Sequence, residues 1–430
     1  MNVRRDFYLK QLVDSMWDGQ VKVITGLRRC GKSYLLKNLF GGYLRENGVA
    51  EGQIILLELD LLSYAVYRNP IKLVEFVREK VPDDGVRRYL FIDEIQLCEE
   101  VENPALPDGK KLTFYDALNE FRSLPNLDVY VTGSNSKMLS SDILTEFRGR
   151  GNEIRVHPFS FGEYLSAHGG DRREALNDYL LFGGMPYSVG IESEEKRMQY
   201  LKGLFTELYL KDIVERKQIQ RLDVLDATLD LMASSIGSLT NPNNVANVLT
   251  TKLGLATNVN TVRMYMDHLM DAFLFSEAKR YDVRGKAYFD YPNKYYCEDL
   301  GLRNARTGFR EQDMTHLMEN AIYLELVRRG FSVDVGVVFS WETNKLGKRE
   351  RIAREIDFVV NKGGEKVYVQ SAYRMDDEEK RKAELKPFAL SGDSFRKIVV
   401  RDDIGHRFFD DSGVLNISLV DFLQDSTGAI

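Results

Sequence analysis

The amino-acid sequence predicts an α/β fold. We expect a parallel sheet with helices on both faces, then a helical segment and a second, smaller α/β unit. Short apolar runs alternate with longer amphipathic runs from about residue 20 to 160, the order of parallel strands joined by helices. These apolar runs do not alternate with polar residues, which is typical of strands buried on both faces. At 430 residues, the chain has room for two to three domains.

Four apolar runs predict the strands of the first sheet, and three amphipathic runs between them predict its helices. The strand-like runs are VKVITG, QIILLELD, RYLFIDEI and LDVYVTGS. The helical runs are KSYLLKNLFGGYLRENG, PIKLVEFVREKV and TFYDALNEFRSL. Strand, helix and strand thus follow one another repeatedly, which favours a parallel sheet over an antiparallel one.

A glycine-rich loop with the pattern G-x-x-x-x-G-K-S, residues 26–33, joins the first strand to the first helix. Glycines let backbone N–H groups surround a phosphate, and the helix N-terminus adds its positive dipole end. Lys32 offers a charge to the β- and γ-phosphates, and Ser33 offers a hydroxyl to Mg²⁺. The residues expected to bind the nucleotide are Gly26, Leu27, Arg28, Arg29, Cys30, Gly31, Lys32, Ser33 and Tyr34.

Two acids end the third predicted strand, in the run YLFIDEIQ. Asp93 is expected to hold Mg²⁺ together with Ser33, and Glu94 to activate a water for attack on the γ-phosphate. An isolated Asp-Glu pair at a strand end is more often a pair of solvated acids. Because a phosphate-binding type of loop precedes it at a suitable distance, we favour the catalytic interpretation.

Polar residues after the fourth strand complete the predicted hydrolysis site. Asn135 or Ser134 is a candidate to contact the γ-phosphate or the attacking water, although both also suit a plain turn. Arg148 and Arg150 lie on a glycine-rich bend, from which an arginine could stabilise transition-state charge in cis or from a neighbouring chain. A solvated basic loop is an equally good interpretation of this bend.

The chain between residues 160 and 300 changes character. Residues 160–230 are mostly helical in pattern, and FGGMP predicts a turn within them. Three helical patterns and then strand-like KAYFDYPNKYYCED follow, which is the order of a winged helix. Its recognition-type helix carries Arg263 among several acids, so DNA contact and protein interaction both stay open.

Six segments together resemble a family of prokaryotic AAA-type ATPases, in which a winged helix and a C-terminal domain of unknown function follow the ATPase. They are ITGLRRCGKSYLL, FIDEIQ, TGSNSKML, FRGR with HPFSFGEYL, GGMP and KYYCEDLGLRNA. The resemblance spans nearly the whole chain, and it implies ATP as the nucleotide and a cytoplasmic protein. It implies no biological role, because the family itself lacks one.

The C-terminal part resembles the restriction-endonuclease-like fold. Glu319 on a helix and Asp357 on a strand match two of the acids of such a site. The E-x-K positions instead read Gln370, Ser371 and Ala372, so a carboxylate and a lysine are missing unless Arg374 or Lys366 supplies the charge. Since Mg²⁺ favours charged oxygen ligands, we expect no nuclease activity here. The basic run at residues 344–357 suits either phosphate binding or a solvated hairpin.

Composition sets the remaining expectations. The net charge of −6 excludes the class of strongly basic proteins that coat nucleic acid, but it does not exclude a local basic patch. The three cysteines have no metal-ligand or redox spacing, and no apolar run is long enough for a membrane span. We therefore expect free thiols, no membrane partner and a cytoplasmic location.

These observations lead to one predicted function and one alternative. The lead hypothesis is a Mg²⁺-dependent ATPase that acts as a switch or motor on a client, with DNA as a client and a homo-oligomer both left open. The alternative is a DNA-binding or protein-interaction module regulated by ATP binding with little turnover. The predicted domains are an AAA-type P-loop ATPase domain (1–160), a helical segment (161–223), a winged helix (224–305) and a restriction-endonuclease-like domain (306–430).

Overall fold

The computed structural model describes residues 3–103, 109, 111–134, 151–206, 213–214, 217–310, 313–343 and 347–424. Within this part of the chain, residues up to Pro158 form one compact unit together with Asp271–Phe273. Residues 159–270 and those from Leu274 onward form the second. Each unit is described by itself below.

A five-stranded parallel sheet forms the centre of the first unit, in the order β2-β3-β6-β1-β7. The predicted parallel α/β fold is therefore confirmed, with one further strand at the edge. The strands are β1 (Val21–Thr25), β2 (Ile54–Glu58), β3 (Arg88–Asp93), β6 (Leu127–Thr132) and β7 (Gly151–Arg155). The short strands β4 (Val101–Glu102) and β5 (Lys111–Leu112) form a separate antiparallel pair.

The three predicted amphipathic runs of the first unit are helical, and α1 is a further helix that was not predicted. The helices are α1 (Asp6–Asp14), α2 (Lys32–Tyr34), α3 (Gly41–Glu46), α4 (Pro70–Lys80) and α5 (Phe114–Arg122), with a π-helical turn at Leu35–Phe40 between α2 and α3.

Helix α5 shows how the local sequence defines one of these helices. Thr113 caps it by accepting a hydrogen bond from the Tyr115 N–H, and Asp116 accepts one from the Thr113 N–H. Its buried residues Phe114, Ala117, Leu118 and Phe121 lie on one face and join the core beneath the sheet.

The second unit begins with helices and a small antiparallel pair. The helices are α6 (Phe161–His168), α7 (Arg172–Phe182), α8 (Pro186–Val189), α9 (Glu194–Gly203), α10 (Leu222–Ser234), α11 (Pro242–Thr251), α12 (Val259–Asp271) and α13 (Leu300–Arg306). After α12, β8 (Phe275–Ala278) pairs with β11 (Lys294–Cys297). The strands between them, β9 (Arg280–Asp282) and β10 (Ala287–Tyr288), belong to a larger sheet instead.

That larger sheet has eight strands in the order β10-β9-β12-β13-β14-β15-β17-β16. Its remaining strands are β12 (Ser332–Thr343), β13 (Arg349–Lys362), β14 (Glu365–Ala372), β15 (Arg396–Arg401), β16 (Phe408–Phe409) and β17 (Leu415–Ser418). The associated helices are α14 (Met314–Arg328), α15 (Glu378–Ser391) and α16 (Leu419–Gln424). Among all the described residues, none of the helices is long and apolar enough to cross a membrane.

Candidate functional site

The loop after β1 depends on a glycine at its first position. Gly26 has a φ of +133°, and a Cβ there would lie 2.0 Å from the main-chain oxygen of Val156. An L side chain would face both a strained backbone and a steric clash with backbone atoms. The loop can therefore pass this closely beside the end of β7 only with glycine at residue 26.

Lys32 is the first residue of helix α2, and its side chain folds back over the loop that precedes the helix. It is only 4% exposed, and its Nζ donates hydrogen bonds to the carbonyl oxygens of Gly26 and Leu27, both at 2.9 Å. These are neutral acceptors, so a phosphate oxygen would be a stronger partner for the ammonium. The predicted phosphate-binding lysine is thus held at the loop by bonds that an anion can replace.

Asp93 brings the two predicted motifs together. The Ser33 hydroxyl donates to Asp93 Oδ1 at 2.8 Å across 60 residues of sequence. The Thr132 hydroxyl donates to the same oxygen at 2.5 Å from the end of the neighbouring strand β6. Parallel strands place their carboxyl ends at one edge of a sheet, which is why residues from β3, β6 and the loop after β1 meet here.

Glu94 adopts a backbone conformation that few residues with side chains use. Its φ is +56°, and its N–H donates to the Thr132 hydroxyl at 3.0 Å. Its carboxylate contacts the Gln96 side-chain amide, and Ser134 Oγ lies 3.4 Å from its Oε2. A left-handed residue directly after a buried strand is the kind of local strain that concentrates at functional sites.

Lys37 is a residue of this centre that the sequence analysis did not identify. Its Nζ lies 2.9 Å from Asp93 Oδ2 and also contacts the Glu58 carboxylate. Burial alone would lower the pKa of Lys37, but hydrogen bonds to Glu58 and Asp93 outweigh it and raise that pKa. Lys37 lies four residues after Ser33, so the helical spacing could have indicated that both reach Asp93.

Arg5 was also not predicted, because it lies outside the loop of residues 26–33 and outside the strand that ends in Asp93. Its guanidinium donates to the Cys30 carbonyl at 2.9 Å and to the His157 carbonyl at 2.7 Å. The side chain is almost fully buried, and it stacks on Tyr8 at 4.6 Å from the ring centroid. Arg5 thus connects the middle of the loop to the segment after β7.

Ser33 and Asp93 have the donor types that suit a magnesium ion. A hydroxyl and a carboxylate are hard oxygen donors, and Mg²⁺ is usually held by few protein ligands while it keeps water and binds phosphates. Among the described residues, no three His, Cys, Asp or Glu side chains cluster in a way that could hold a metal. The centre therefore fits an ion shared with a phosphate better than an all-protein cage.

The other predicted residues of the site divide into two groups. Cys30 is buried, and burial raises the pKa of its thiol, whereas Arg29 and Tyr34 are exposed beside the loop. Asn135, Arg148 and Arg150 lie outside the described residues.

A second cluster of charges lies in the C-terminal unit, centred on Lys294 of β11. Its Nζ is 2.9 Å from Glu319 Oε1, 2.5 Å from Glu355 Oε1 and 3.8 Å from Asp357 Oδ1. Burial alone would lower the pKa of Lys294, but these carboxylates raise it. The single ammonium thus lies among three acids that converge from α14 and β13, and its one positive charge offsets part of theirs.

Asp357 and Gln370 are hydrogen-bonded within the same region. Asp357 Oδ2 accepts from the Ser371 N–H at 2.8 Å, and the Gln370 side-chain amide donates to Glu384 at 3.1 Å. Burial, reinforced by the charge of Glu319, raises the pKa of Asp357. The positive charge comes from Lys294, whereas Lys366 and Arg374 stack on aromatic rings.

Comparison with known proteins identifies the first unit. A family model described as an AAA domain matches residues 18–165, and one described as a domain of unknown function (DUF8612) matches residues 173–313. The AAA match includes the loop after β1, Asp93, Glu94 and Thr132.

Similar solved structures include one protein bound to AMPPCP and one that is described without a nucleotide. AMPPCP-bound DnaA from Aquifex aeolicus is 15% identical, with a TM-score of 0.30, and the match covers 61% of this chain and 85% of that one. Cdc6p from Pyrobaculum aerophilum is 11% identical, with a TM-score of 0.27, and the match covers 71% of this chain and 93% of that one.

Two relatives match along most of their length. An uncharacterized protein MJ1544 of Methanocaldococcus jannaschii is 23% identical over 432 residues, covering 93% of this chain and 88% of the relative. An uncharacterized protein of Haemophilus influenzae is 33% identical over 380 residues, covering 87% of this chain and 88% of the relative. The chain therefore belongs to the same family as the Haemophilus influenzae protein, and it carries an AAA domain in its N-terminal part.

Proposed function

We propose that the protein binds ATP and hydrolyses it with Mg²⁺, and that the nucleotide state drives the rest of the chain as a switch or motor on a client. The observation that carries this proposal is the 2.8 Å contact between Ser33 and Asp93. It joins the phosphate-binding type of loop to the acidic end of a buried strand, which is where P-loop enzymes hold their metal.

The residues of the loop, the two acids and Thr132 each have a role in this proposal. The backbone amides of residues 26–33 and the Lys32 ammonium would bind the phosphates, with Lys32 exchanging its loop carbonyls for phosphate oxygens. Ser33 and Asp93 would hold Mg²⁺, which neutralises charge on the phosphates when bound. Glu94 would accept a proton from the attacking water. Thr132 would hold Asp93 and the Glu94 main chain in position through the two hydrogen bonds of its hydroxyl.

Further parts of the proposal rest on sequence. Asn135 would contact the γ-phosphate or the water, and Arg148 or Arg150 would stabilise transition-state charge, within the chain or across a homo-oligomer. The finer domain boundaries, at residues 160, 223 and 305, and the winged-helix assignment of 224–305 are proposals of the same kind. So is a cytoplasmic location.

We propose that the C-terminal unit is a restriction-endonuclease-like scaffold that does not cleave nucleic acid. Lys294 supports this, because its ammonium already occupies the position among the three acids around it that a divalent cation would take. The neutral Gln370 side chain supports it further, since it replaces a carboxylate ligand. Magnesium-dependent nicking of DNA that disappears in the Asp357→Ala variant would contradict this part of the proposal.

Two variants with matched controls test the ATPase proposal. Lys32→Ala should abolish nucleotide binding, measured by titration with a fluorescent ATP analogue. Glu94→Gln should keep binding but stop turnover, measured by phosphate release. The controls, Lys10→Ala and Glu46→Gln, make the same changes at exposed positions. Wild-type ATPase activity in either Lys32→Ala or Glu94→Gln would refute the assignment.

A further inference from the structure

Strands β12 and β13 extend beyond the eight-stranded sheet as a two-stranded ribbon. Within the described part of the chain, β9 pairs with β12 only at residues 335–337, and β14 pairs with β13 only at residues 358–362. Residues 339–343 and 349–353 therefore pair with each other alone. Alternate residues of each strand point to opposite faces of such a ribbon, so the two faces can differ in chemistry.

The two faces of the ribbon do differ. Cross-strand partners share a face, so the pairs Phe339–Ala353, Trp341–Arg351 and Thr343–Arg349 lie on one face. Glu342, which lies on the other face, binds Arg354 at 2.6 Å and Lys386 at 2.8 Å. One face is therefore an ion-paired surface, while the other presents arginines and rings; Glu355, the next residue of β13 on that face, is already bound to Lys294.

Arginines stack on rings along the second face. The guanidinium carbon of Arg351 lies 3.6 Å from the centroid of the Phe339 ring, and that of Arg349 lies 5.5 Å from Trp341. Trp341 is 59% exposed, which is unusual for the largest apolar side chain in a chain that has only two tryptophans. An exposed ring beside two cations suits a partner that has a flat group to stack on the ring and a negative charge to pair with the arginines.

The same arrangement continues past the ribbon. The Phe289 ring lies 6.3 Å from Phe339, and Arg280 stacks on Phe289 at 5.2 Å. Phe289 lines a cavity of about 830 Å³, at which Arg263 stacks on Tyr291 at 5.8 Å. Four arginine–ring pairs thus follow one another along the second unit. We call them the arginine–aromatic track.

The arginines of the track carry charges that no carboxylate in the described part of the chain neutralises. Arg263, Arg280, Arg349 and Arg351 have no carboxylate within salt-bridge distance among the residues that the structure describes. The Nε of Arg280 is also buried without a hydrogen-bond partner. The acids that line the cavity are Glu277, Asp290 and Asp334, of which Asp334 accepts from Tyr288 and Glu277 accepts from Asn293. In a chain with a net charge of −6, four unpaired arginines in one track indicate an anionic partner.

We propose that the arginine–aromatic track binds a single strand of nucleic acid. Phosphates would pair with the guanidinium groups, and unpaired bases would stack on Trp341 and on the rings of the cavity. Single strands are commonly bound in this way, through a basic path interleaved with aromatic side chains. A duplex keeps its base faces covered, so it would use the arginines but not the rings. This binding does not depend on ATP hydrolysis.

The exposed tryptophan provides a direct measurement. In a Trp17→Phe background, Trp341 is the remaining tryptophan, and its fluorescence should be quenched when a dT oligonucleotide of about 16 nucleotides is added at low salt without ATP. An RNA strand, a duplex of the same length and polyglutamate serve as comparison ligands. We expect both single strands to quench more strongly than the duplex, and polyglutamate to quench weakly.

Variants separate the track from general charge effects. With a labelled oligonucleotide, Trp341→Ala should weaken binding about tenfold through the lost stacking. The double variant Arg349→Gln with Arg351→Gln should weaken binding and make the slope of log affinity against log salt shallower by about 1.4, which is about 0.7 for each lost phosphate contact. The control is Lys380→Gln with Lys382→Gln, which removes two exposed charges from α15 and should change affinity less than twofold.

Several results would overturn the proposal. They are an absence of oligonucleotide binding at low salt, equal affinity in the track and control variants, and preference for the duplex or for polyglutamate. Because the assay contains no ATP, its failure would leave the ATPase proposal untouched, and failure of the ATPase tests would leave this proposal untouched.

Discussion

Arg5 is expected to stabilise the nucleotide loop from outside it, and the Arg5→Met variant tests this. The guanidinium donates to the carbonyls of Cys30 and His157 from an almost fully buried position. Hydrogen bonds from a charged group contribute about 1.5–3 kcal/mol each, so losing two should lower the free energy of unfolding by about 3–6 kcal/mol. Methionine keeps much of the side-chain volume, so this loss reports mainly on the two carbonyls.

Nucleotide affinity should fall in the same variant. Cys30 lies two residues before Lys32, and its carbonyl would lose its buried partner. We expect the Kd for ATP to rise at least about tenfold, which corresponds to ~1.4 kcal/mol. Arg5 acts here as a positioning residue, so the affinity should be lost even under conditions in which the variant is fully folded.

Urea denaturation and nucleotide titration measure the two effects. Trp17 lies in the same unit as Arg5, so its fluorescence in a Trp341→Phe background reports the unfolding of that unit. Arg4→Met is the matched control, because the neighbouring Arg4 side chain is 86% exposed and its ion pair with Asp6 should contribute no more than about 1 kcal/mol. Equal unfolding free energies and equal ATP affinities in the two variants would refute the role of Arg5.

Three further outcomes are expected. Thr132→Val removes the hydroxyl that contacts Asp93 and Glu94, so turnover should fall about 10–100-fold with nucleotide Kd nearly unchanged, and an equal loss of affinity would contradict this. Lys294→Met leaves three acids without their cation, so it should lower the free energy of unfolding by about 3–5 kcal/mol at pH 7. The control Lys386→Met should change the free energy of unfolding little. The cost of Lys294→Met should shrink as the pH is lowered, because burial raises the pKa of Asp357 and protonation of that acid relieves the repulsion, whereas a cost that stays constant across a pH series would contradict the assignment. Burial raises the pKa of Cys98 and Cys297 to about 12 and also that of Cys30, so iodoacetamide at pH 8 should modify the thiols only after denaturation, as mass spectrometry would show.

The sheet of the first unit could be predicted because its central strands are buried on both faces. Such strands are apolar throughout, and the runs at β1, β3 and β6 can be recognised from the sequence alone. Strand β2 lies at an edge and is only half-buried at every second residue, but its run IILLE is apolar all the same. Strand β7 was missed because it lies at the edge and reads GNEIR, in which only Ile154 is fully buried. An edge strand does not need an apolar run, so its position depends on pairing with β1.

The candidate site was predictable to the extent that its chemistry lies in contiguous motifs. Lys32, Ser33, Asp93 and Glu94 could be named because each motif combines a residue type with a strand or helix end. Arg5 could not, since its role depends on its reaching the main-chain oxygen of His157, 152 residues away. Because every residue has a backbone carbonyl, a hydrogen bond to one does not constrain the identity of the accepting residue.

Lys294 shows what an acid pattern can and cannot predict. Converging buried carboxylates need a cation, whether a metal ion or an ammonium, because their mutual repulsion in a poorly hydrated site is otherwise too costly. From the sequence, only Arg374 or Lys366 was considered as a source of positive charge near Asp357, whereas the structure has Lys294 of β11 there. The consequence is structural as well as chemical. Since β11 pairs with β8 and its lysine binds acids on α14 and β13, the ion cluster also connects the small antiparallel pair to the eight-stranded sheet. A divalent cation could replace the charge of Lys294, but it would not be part of β11. Loss of Lys294 should therefore weaken the attachment of the β8–β11 pair to the eight-stranded sheet even where another cation binds the acids.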